Sequence, residues 1–327
     1  MAVMTRELRV QVGSESTWGT SVKPTALLRG VEEFSIQAEP DIRMLDDMTL
    51  ALAGSAQAVV ASNAASATGR GWASYEQLPY WLDALFGTAT PGAGPGYARA
   101  YAAPITAVTA IASMRKLTIV HGDSTVGGYA LAGGIVNSLT LTGEPKEPLQ
   151  WQVELIGMKA EAKENETLSV GAVNPIVGAH LATVKWDAWS GTMGASALAN
   201  CSLRSFELTV TPNRTLRHCF GSLTANDYSE AAWDGTLRLS LEFNATTKTD
   251  VSAIIGGTLT QKQVEINWAS SSLAMQVQFA GTVMEAPELF SDDDGIVTAD
   301  VTLTRTYHST FANWLKMSVT NAVASLA

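Results

Sequence analysis

Residues able to do covalent or metal chemistry are few in this chain, and their spacing does not bring them together. His121, His180, His218 and His308 are scattered, outside any HExxH or cysteine–histidine zinc spacing. His218 and Cys219 are adjacent, which on a strand sends the two side chains to opposite faces and leaves no nucleophile–base pair. Gly92, Gly94 and Gly96 suggest a phosphate loop, but Pro91 and Pro95 interrupt it and no Lys-Ser/Thr or helix follows. Asp292-Asp293-Asp294-Gly295 offers hard oxygen ligands, yet the twelve-residue calcium loop with its closing Glu is missing, so an acidic turn is expected. Asp46-Asp47 and Glu161, Glu164 and Glu166 read as solvated loops. The expectation is a protein with no catalytic, cofactor or metal residues, hence not an enzyme. The nine tryptophans leave a sugar-binding platform open, although Trp151, Trp186 and Trp268 fall within strand patterns and read as core.

The totals point the same way. The 327 residues are 46% apolar and only 16% charged, so the solvent-facing surface must be built from Thr, Ser, Gln and Asn. A formal charge of −10 argues against gripping nucleic acid, because that affinity comes from Lys and Arg. The first residues, MAVMTRELRVQVGSE, lack the apolar run of a signal peptide, and no stretch has eighteen consecutive apolar residues, so a soluble chain made in a cytosol, away from membranes, is expected. Two cysteines, Cys201 and Cys219, read as reduced thiols.

The elements that carry these residues are strands. Leu149–Ala162, LQWQVELIGMKAEA, alternates apolar Leu149, Trp151, Val153 and Leu155 with Gln150, Gln152 and Glu154, and period two buries one face and wets the other. It is echoed by Leu273–Ala286, LAMQVQFAGTVMEA. Phe34, Ile36 and Ala38 before Pro40 are echoed by Phe206, Leu208 and Val210 before Pro212, each Pro ending its strand. Leu78, Trp81, Leu82 and Leu85 form a helical stripe within Tyr75–Phe86, and Thr247–Ile255 is a second short helix. Strands are expected at Lys116–Val120, Ile135–Thr142, Val173–Trp189, Gln263–Trp268 and Gly295–Tyr307. Residues 5–24 read as a strand and an arm, Leu50–Gly69 as a loop or weak edge, and Thr88–Pro104 as a long projecting loop. The order recurs about residue 191. This implies a mainly β chain of two similar antiparallel β-sandwich or barrel-like domains, each with a short α-helix, at 1–191 and 192–327.

Together, GSESTWGTSVKPTALLRGVEEFSIQAEPD, SLTLTGEPKEPLQWQVELIGM and SLRSFELTVTPN resemble the major tail tube proteins of long-tailed bacteriophages, in layout and texture along most of the chain. The resemblance implies a structural virion protein, assembled in the bacterial host cytoplasm and located in the virion tail. Its domains would form a shared β-barrel, and its rings would stack into the conduit for the genome. DNA would pass without specific binding, and tape-measure and tail-terminator proteins would be partners. Six-fold tubes built from a doubled chain imply a trimeric ring, or a hexamer if the second domain decorates the outside. On that reading Gln150, Gln152, Glu154, Glu242, Asp300, Thr302 and Thr304 are the expected lumen residues, and Trp18, Pro91, Tyr97 and Tyr101 the expected inter-ring contacts. A carbohydrate-binding or adhesive module, and another virion part such as a distal-tail, tail-completion or capsid-decoration protein, remain alternatives.

Overall fold

The computed structural model describes residues 8–45, 57–94, 96–105, 114–123, 127–168, 175–198, 202–285, 288–293 and 295–326. The chain opens with β1 (Arg9–Glu15), β2 (Ala26–Leu28), β3 (Val31–Leu45) and β4 (Gln57–Trp72), then α1 (Leu78–Phe86). It continues with β5 (Tyr97–Ala102), β6 (Lys116–Asp123), β7 (Gly127–Gly143), β8 (Gln150–Gly157) and β9 (Lys159–Lys163). A second run follows: β10 (Ala182–Ala188), β11 (Leu203–Thr211), the short β12 (Arg214–Arg217) and β13 (Asp227–Glu230), β14 (Asp234–Glu242) and α2 (Ala245–Ile255). Last come β15 (Gln261–Ser270), β16 (Leu273–Val283), β17 (Glu288–Asp293), β18 (Ile296–Arg305) and β19 (Leu315–Asn321). The fold is mainly β and antiparallel, with a sandwich-like core.

Ladder neighbours repeat between the two runs. β3, β4, β8 and β7 lie side by side in that order, as do β11, β14, β18 and β16. The registers repeat too: Phe34 faces Gly69 and Gly69 faces Val153, as Phe206 faces Leu239 and Leu239 faces Val301. Val136 faces Leu155 as Val283 faces Leu303. β7 is also flanked by β6 and β9, as β16 is by β15 and β19. By ladder position β8 therefore corresponds to β18, and β16 to β7. The likeness of Leu149–Ala162 to Leu273–Ala286 joins strands with different neighbours, because both are half-buried alternating strands and alternation alone cannot tell position in a sheet.

The two sets join through the C-terminal part of β7, which pairs with β11 from Leu139↔Val210 to Gly143↔Phe206. One long sheet results, β3-β4-β8-β7-β11-β14-β18, with β17 on the far side of β18. It does not close on itself within the chain: among the described residues β3 pairs only with β4, and β17 only with β18. Its apolar face is covered in the first set by α1 and the β1–β6 layer, where Trp81 lies 5.2 Å from Trp151 and Phe34 5.7 Å from His121. In the second set β10, β15, β16 and β19 provide the cover, with Phe206 5.6 Å from Trp268. One buried apolar cluster runs through both sets. β5 crosses over to pair with β19, and buried Arg99 donates to Asn321 Oδ1 at 2.9 Å.

Several local expectations are corrected. Residues 57–69, read as part of a loop, belong to the sixteen-residue β4; residues 50–56 and Asp46-Asp47 lie outside the described residues. The inward positions of β4 are Ala65, Ala67, Gly69 and Gly71, and they are small because the neighbouring strand crowds them. A Cβ on Gly69 would sit 2.4 Å from the Phe34 ring, and one on Gly71 2.2 Å from the Gly30 carbonyl. Thr88–Pro104, read as a loop unable to contribute to the core, contains β5, with Tyr101 4% exposed. Pro40 does not end its strand; β3 runs on to Leu45, because an open edge needs no N–H from it and a register shift follows at Asp41/Ile42. Of Val173–Trp189 the described part, 175–189, holds one strand, β10, and it pairs with β15. α1 has Pro in its first turn and ends at Gly87, whose N–H makes the last i→i−4 bond, to the Asp83 carbonyl, and whose φ of 114° then stops the helix.

Candidate functional surface on the long sheet

Alternation fixes which side chains share the outer face of the long sheet. Inward-pointing Trp151, Val153, Leu155, Leu237, Leu239 and Val301 are buried, so the intervening residues point the other way. The register lines them up across strands. One row runs Glu33, Arg70, Gln152, Thr140, Thr209, Thr236 and Thr304, each directly opposite the next. A second runs Gln150, Thr142, Glu207, Arg238 and Thr302. Ser205, Ser240 and Asp300 form a third, with Glu242 one step further along β14.

Gln150, Gln152, Glu154, Glu242, Asp300, Thr302 and Thr304 therefore lie on one face of one sheet. Gln152 and Glu154 are exposed; the other five are half-buried. Residues that sequence reading did not single out join them: Glu33 and Arg70, Glu207 and Arg238, and Arg204. Parity marks Glu33, Glu207 and Arg238, each beside a buried apolar residue of its own strand; Arg70 lies between two glycines, and Arg204, with the parity of Phe206, reaches this face through the register shift at Leu203/Ser205.

The electrostatics of this face are specific. Glu33, Glu39, Glu154, Glu207, Glu242 and Asp300 outnumber Arg70, Arg204 and Arg238. Each of those guanidiniums is held by a carboxylate of the same face: Arg70 to Glu33 at 3.1 Å, Arg238 to Asp300 at 2.8 Å, and Arg204 to Glu242 at 3.9 Å. Exposed pairs of this kind contribute little stability, but they occupy cations that a phosphate would otherwise seek. The remaining groups are amides and hydroxyls, such as Thr140 Oγ1 and Thr209 Oγ1 at 3.2 Å across the joint between the two sets.

Trp18, Pro91, Tyr97 and Tyr101 lie elsewhere. Trp18 is half-buried, donates from Nε1 to the Gly133 carbonyl at 2.7 Å and stands edge-on to Tyr228 at 5.6 Å. Tyr101 is buried and donates to Asp83 Oδ1 at 2.8 Å, and burial first, then the Asp83 charge, pushes its hydroxyl pKa far up. Tyr97 opens β5, opposite Asn321, and Pro91 is half-buried in the preceding loop. The arm after β1 is tied to its own chain as well, with Val22 N–H on Thr118 Oγ1 at 3.0 Å and Ser21 bonded to Glu161.

The joint is reinforced by one buried cation. Arg214, at the start of β12, donates to the Ala84 carbonyl at 3.2 Å, to the Leu85 carbonyl at 2.6 Å and to the Val136 carbonyl, so a side chain of the second set caps the last turn of α1. Glu230 lies 3.6 Å away, and the guanidinium sits over Trp233 and Tyr228 at 5.6 and 5.9 Å. Burial lowers its pKa while Glu230 holds it up.

Among the described residues no group of three His, Cys, Asp or Glu side chains is placed to hold a metal, and no helix is long and apolar enough to cross a membrane. A search of the curated proteins finds no match to the chain. The family model described as phage tail tube protein matches residues 5–304. An antiparallel β chain with a wet, acidic sheet face and matched along nearly its whole length by that model has a structural role in the virion tail: it belongs to the phage tail tube protein family.

Proposed function

We propose that this chain is the major tail tube protein of a long-tailed phage, polymerising through stacked rings into the hollow conduit through which the genome is delivered. The observation that supports this reading most is the long sheet: one face polar, its guanidiniums each engaged by a carboxylate, and both lateral edges unpaired among the described residues. Duplex DNA carries a charge about every 1.7 Å of axis, and a wall holds it by releasing counterions to free cations. A wall whose cations are already engaged gives no such gain, and its excess carboxylates repel phosphate. The lumen residues are then Gln150, Gln152, Glu154, Glu242, Asp300, Thr302 and Thr304, joined by Arg70, Arg238 and the threonine row.

The chain is read as a duplication whose second unit begins with β10 rather than at residue 192, since β10 completes the second set's outer layer. Three such chains supply six equivalent units to a ring, which makes the ring a pseudo-six-fold trimer. Tape-measure and tail-terminator proteins are the expected partners inside and at the end of the tube. An adhesive module would present tryptophans to solvent, whereas the nine here are buried or half-buried, which favours the tube reading.

Negative-stain microscopy of the purified full chain, with native mass spectrometry of released rings, tests this reading. Hollow tubes built from three-chain rings are the expected result. Persistent monomers at concentrations of tens of micromolar would overturn the conduit, and six chains per ring would overturn the trimer.

A further inference from the structure

The β12–β13 hairpin and the outer half of the β3–β4 hairpin stand at the same place in the two sets. Ile42 faces Val60 as Arg214 faces Glu230, and Met44 faces Ala58 as Leu216 faces Tyr228. In the second set this hairpin is folded onto the first. Arg214 N–H donates to Asn137 Oδ1 at 2.9 Å, and Tyr228 donates to Met114 Sδ at 3.1 Å. In the first set the base of the hairpin touches the second set through the Asn63 N–H on the Leu223 carbonyl at 2.6 Å, while Ile42, Met44, Val59 and Val60 further out are 59%, 64%, 46% and 45% exposed.

The receiving surface is doubled in the same way. Phe86 and Ile255 each end a helix before a glycine. Gly134 faces Leu117 as Gly281 faces Lys262, which makes Met114 the counterpart of Leu259 and Asn137 that of Met284. Phe86, Met114 and Asn137 are engaged by the chain between β12 and β14. Ile255, Leu259 and Met284 are 58%, 72% and 70% exposed. Among the described residues an apolar hairpin face and an apolar seat thus stay exposed, and each is one side of a joint that the chain closes elsewhere with its other copy.

The strand edges agree. The closed joint sets β7 beside β11, with Thr142 opposite Glu207. β17 continues β16 along β18 as the C-terminal part of β7 runs along β8: Ser291 faces Thr298 as Thr142 faces Gln150. The counterpart of β11 is β3, where Ser35 takes the place of Glu207. These two strands are the open edges of the long sheet.

We infer that a second copy of this chain docks here, β3 of one copy pairing with β17 of the next with Ser35 opposite Ser291, while Ile42, Met44, Val59 and Val60 seat on Ile255, Leu259 and Met284. The contact deepens the ring reading and rests on it for closure. It is heterologous, so it generates a closed ring or an open helix and never an isolated two-fold dimer. The change of chemistry fits the change of role. Arg214 and Glu230 are desolvated once, as the chain folds, with carbonyls waiting for the guanidinium. Ile42 and Val60 can leave water each time copies meet without stripping a charge of its hydration.

The test is Ser35→Cys with Ser291→Cys, in a Cys201→Ser, Cys219→Ser background, oxidised and run on non-reducing gels. Covalent dimers and a final band at the ring number, with nothing above it, are expected. Thr142→Cys with Glu207→Cys should oxidise within one chain and stay monomeric on the gel. Ile42→Asp should keep the monomer's circular dichroism and lose assembly by at least tenfold in the concentration required. Intact tubes in which the Ser35/Ser291 pair stays unlinked, or in which Ile42→Asp assembles normally, overturn the joint and leave the tube reading standing. Cross-linked closed rings that never stack uphold the joint and overturn the conduit. Monomers without tubes or cross-links overturn both.

Discussion

α1 and α2 follow corresponding strands and both end at a glycine, yet only α1 is sunk in the core. Leu78 through Leu85 are buried, whereas in α2 Thr247 and Val251 are buried and Ile255 is exposed. α2 is not poorly built. Asn244 and Thr247 cap each other at its start, Thr247 N–H on Asn244 Oδ1 at 3.2 Å and Asn244 N–H on Thr247 Oγ1 at 2.9 Å. What differs is the cover. α1 receives Arg214 on its last carbonyls, Trp233 stacked on Phe86 at 5.4 Å, and Asn321 on the Tyr75 carbonyl at 2.8 Å just before it, all from the second set. α2 is held by its own set instead, with Trp186 Nε1 and Lys262 Nζ donating to Asp250 at 2.8 and 2.7 Å. The depth of an element is here a property of its neighbour more than of its own residues.

Breaking the cover should cost most. Arg214→Ala strips the carbonyls of α1 and leaves Glu230 buried without its cation, an expected loss of about 3–5 kcal/mol in urea unfolding. The same truncation at its counterpart, Ile42→Ala, should leave monomer stability within about 0.5 kcal/mol, as for exposed sites generally. Equal losses at both positions would remove the distinction between the sets. Leu82→Ala in α1 should cost about 3 kcal/mol. Val251→Ala in α2 removes two methyl groups and should cost about 1.5 kcal/mol; a similar loss at the two sites would mean that α2 is covered in solution.

The smallest effect is in pH. Burial raises the Asp83 pKa, against the lowering pull of Tyr101 and Arg115. A raised folded value means that the fold favours the protonated acid. The contribution is present below the ordinary value of 3.8 and is lost as pH rises through the raised one. Asp83→Asn should therefore flatten part of the pH dependence of stability on the acid side. Denaturation curves of variant and parent that keep a constant separation from acid to neutral pH would contradict this.

Much of the fold was legible from alternation. β8, β11 and β18 read correctly because their inward residues are large and their outward ones polar, and the α1 stripe was equally plain. β4 was not legible, since its inward residues are as small as many outward ones and the period has no amplitude. β5 was hidden behind Gly92–Gly96, and by an arginine at a buried position. The lumen candidates fall on one face because parity is a local property. Which strands neighbour one another is not local, and for that reason β16 was matched to β8 when its ladder position is that of β7. Pro212 and Pro40 show the same limit. The first is followed by Asn213 at φ 52°, which turns the hairpin onto the first set, while the second sits inside a continuing strand.

The row of threonines from Thr140 through Thr209, Thr236 and Thr304 repeats one hydroxyl from strand to strand across the sheet. On the conduit reading, a polymer passing over such a surface would meet the same hydroxyl at each of these strands, with the guanidiniums nearby already engaged by carboxylates. Low friction would then follow from sameness: speed of passage would depend on having no place where a phosphate would rather stay.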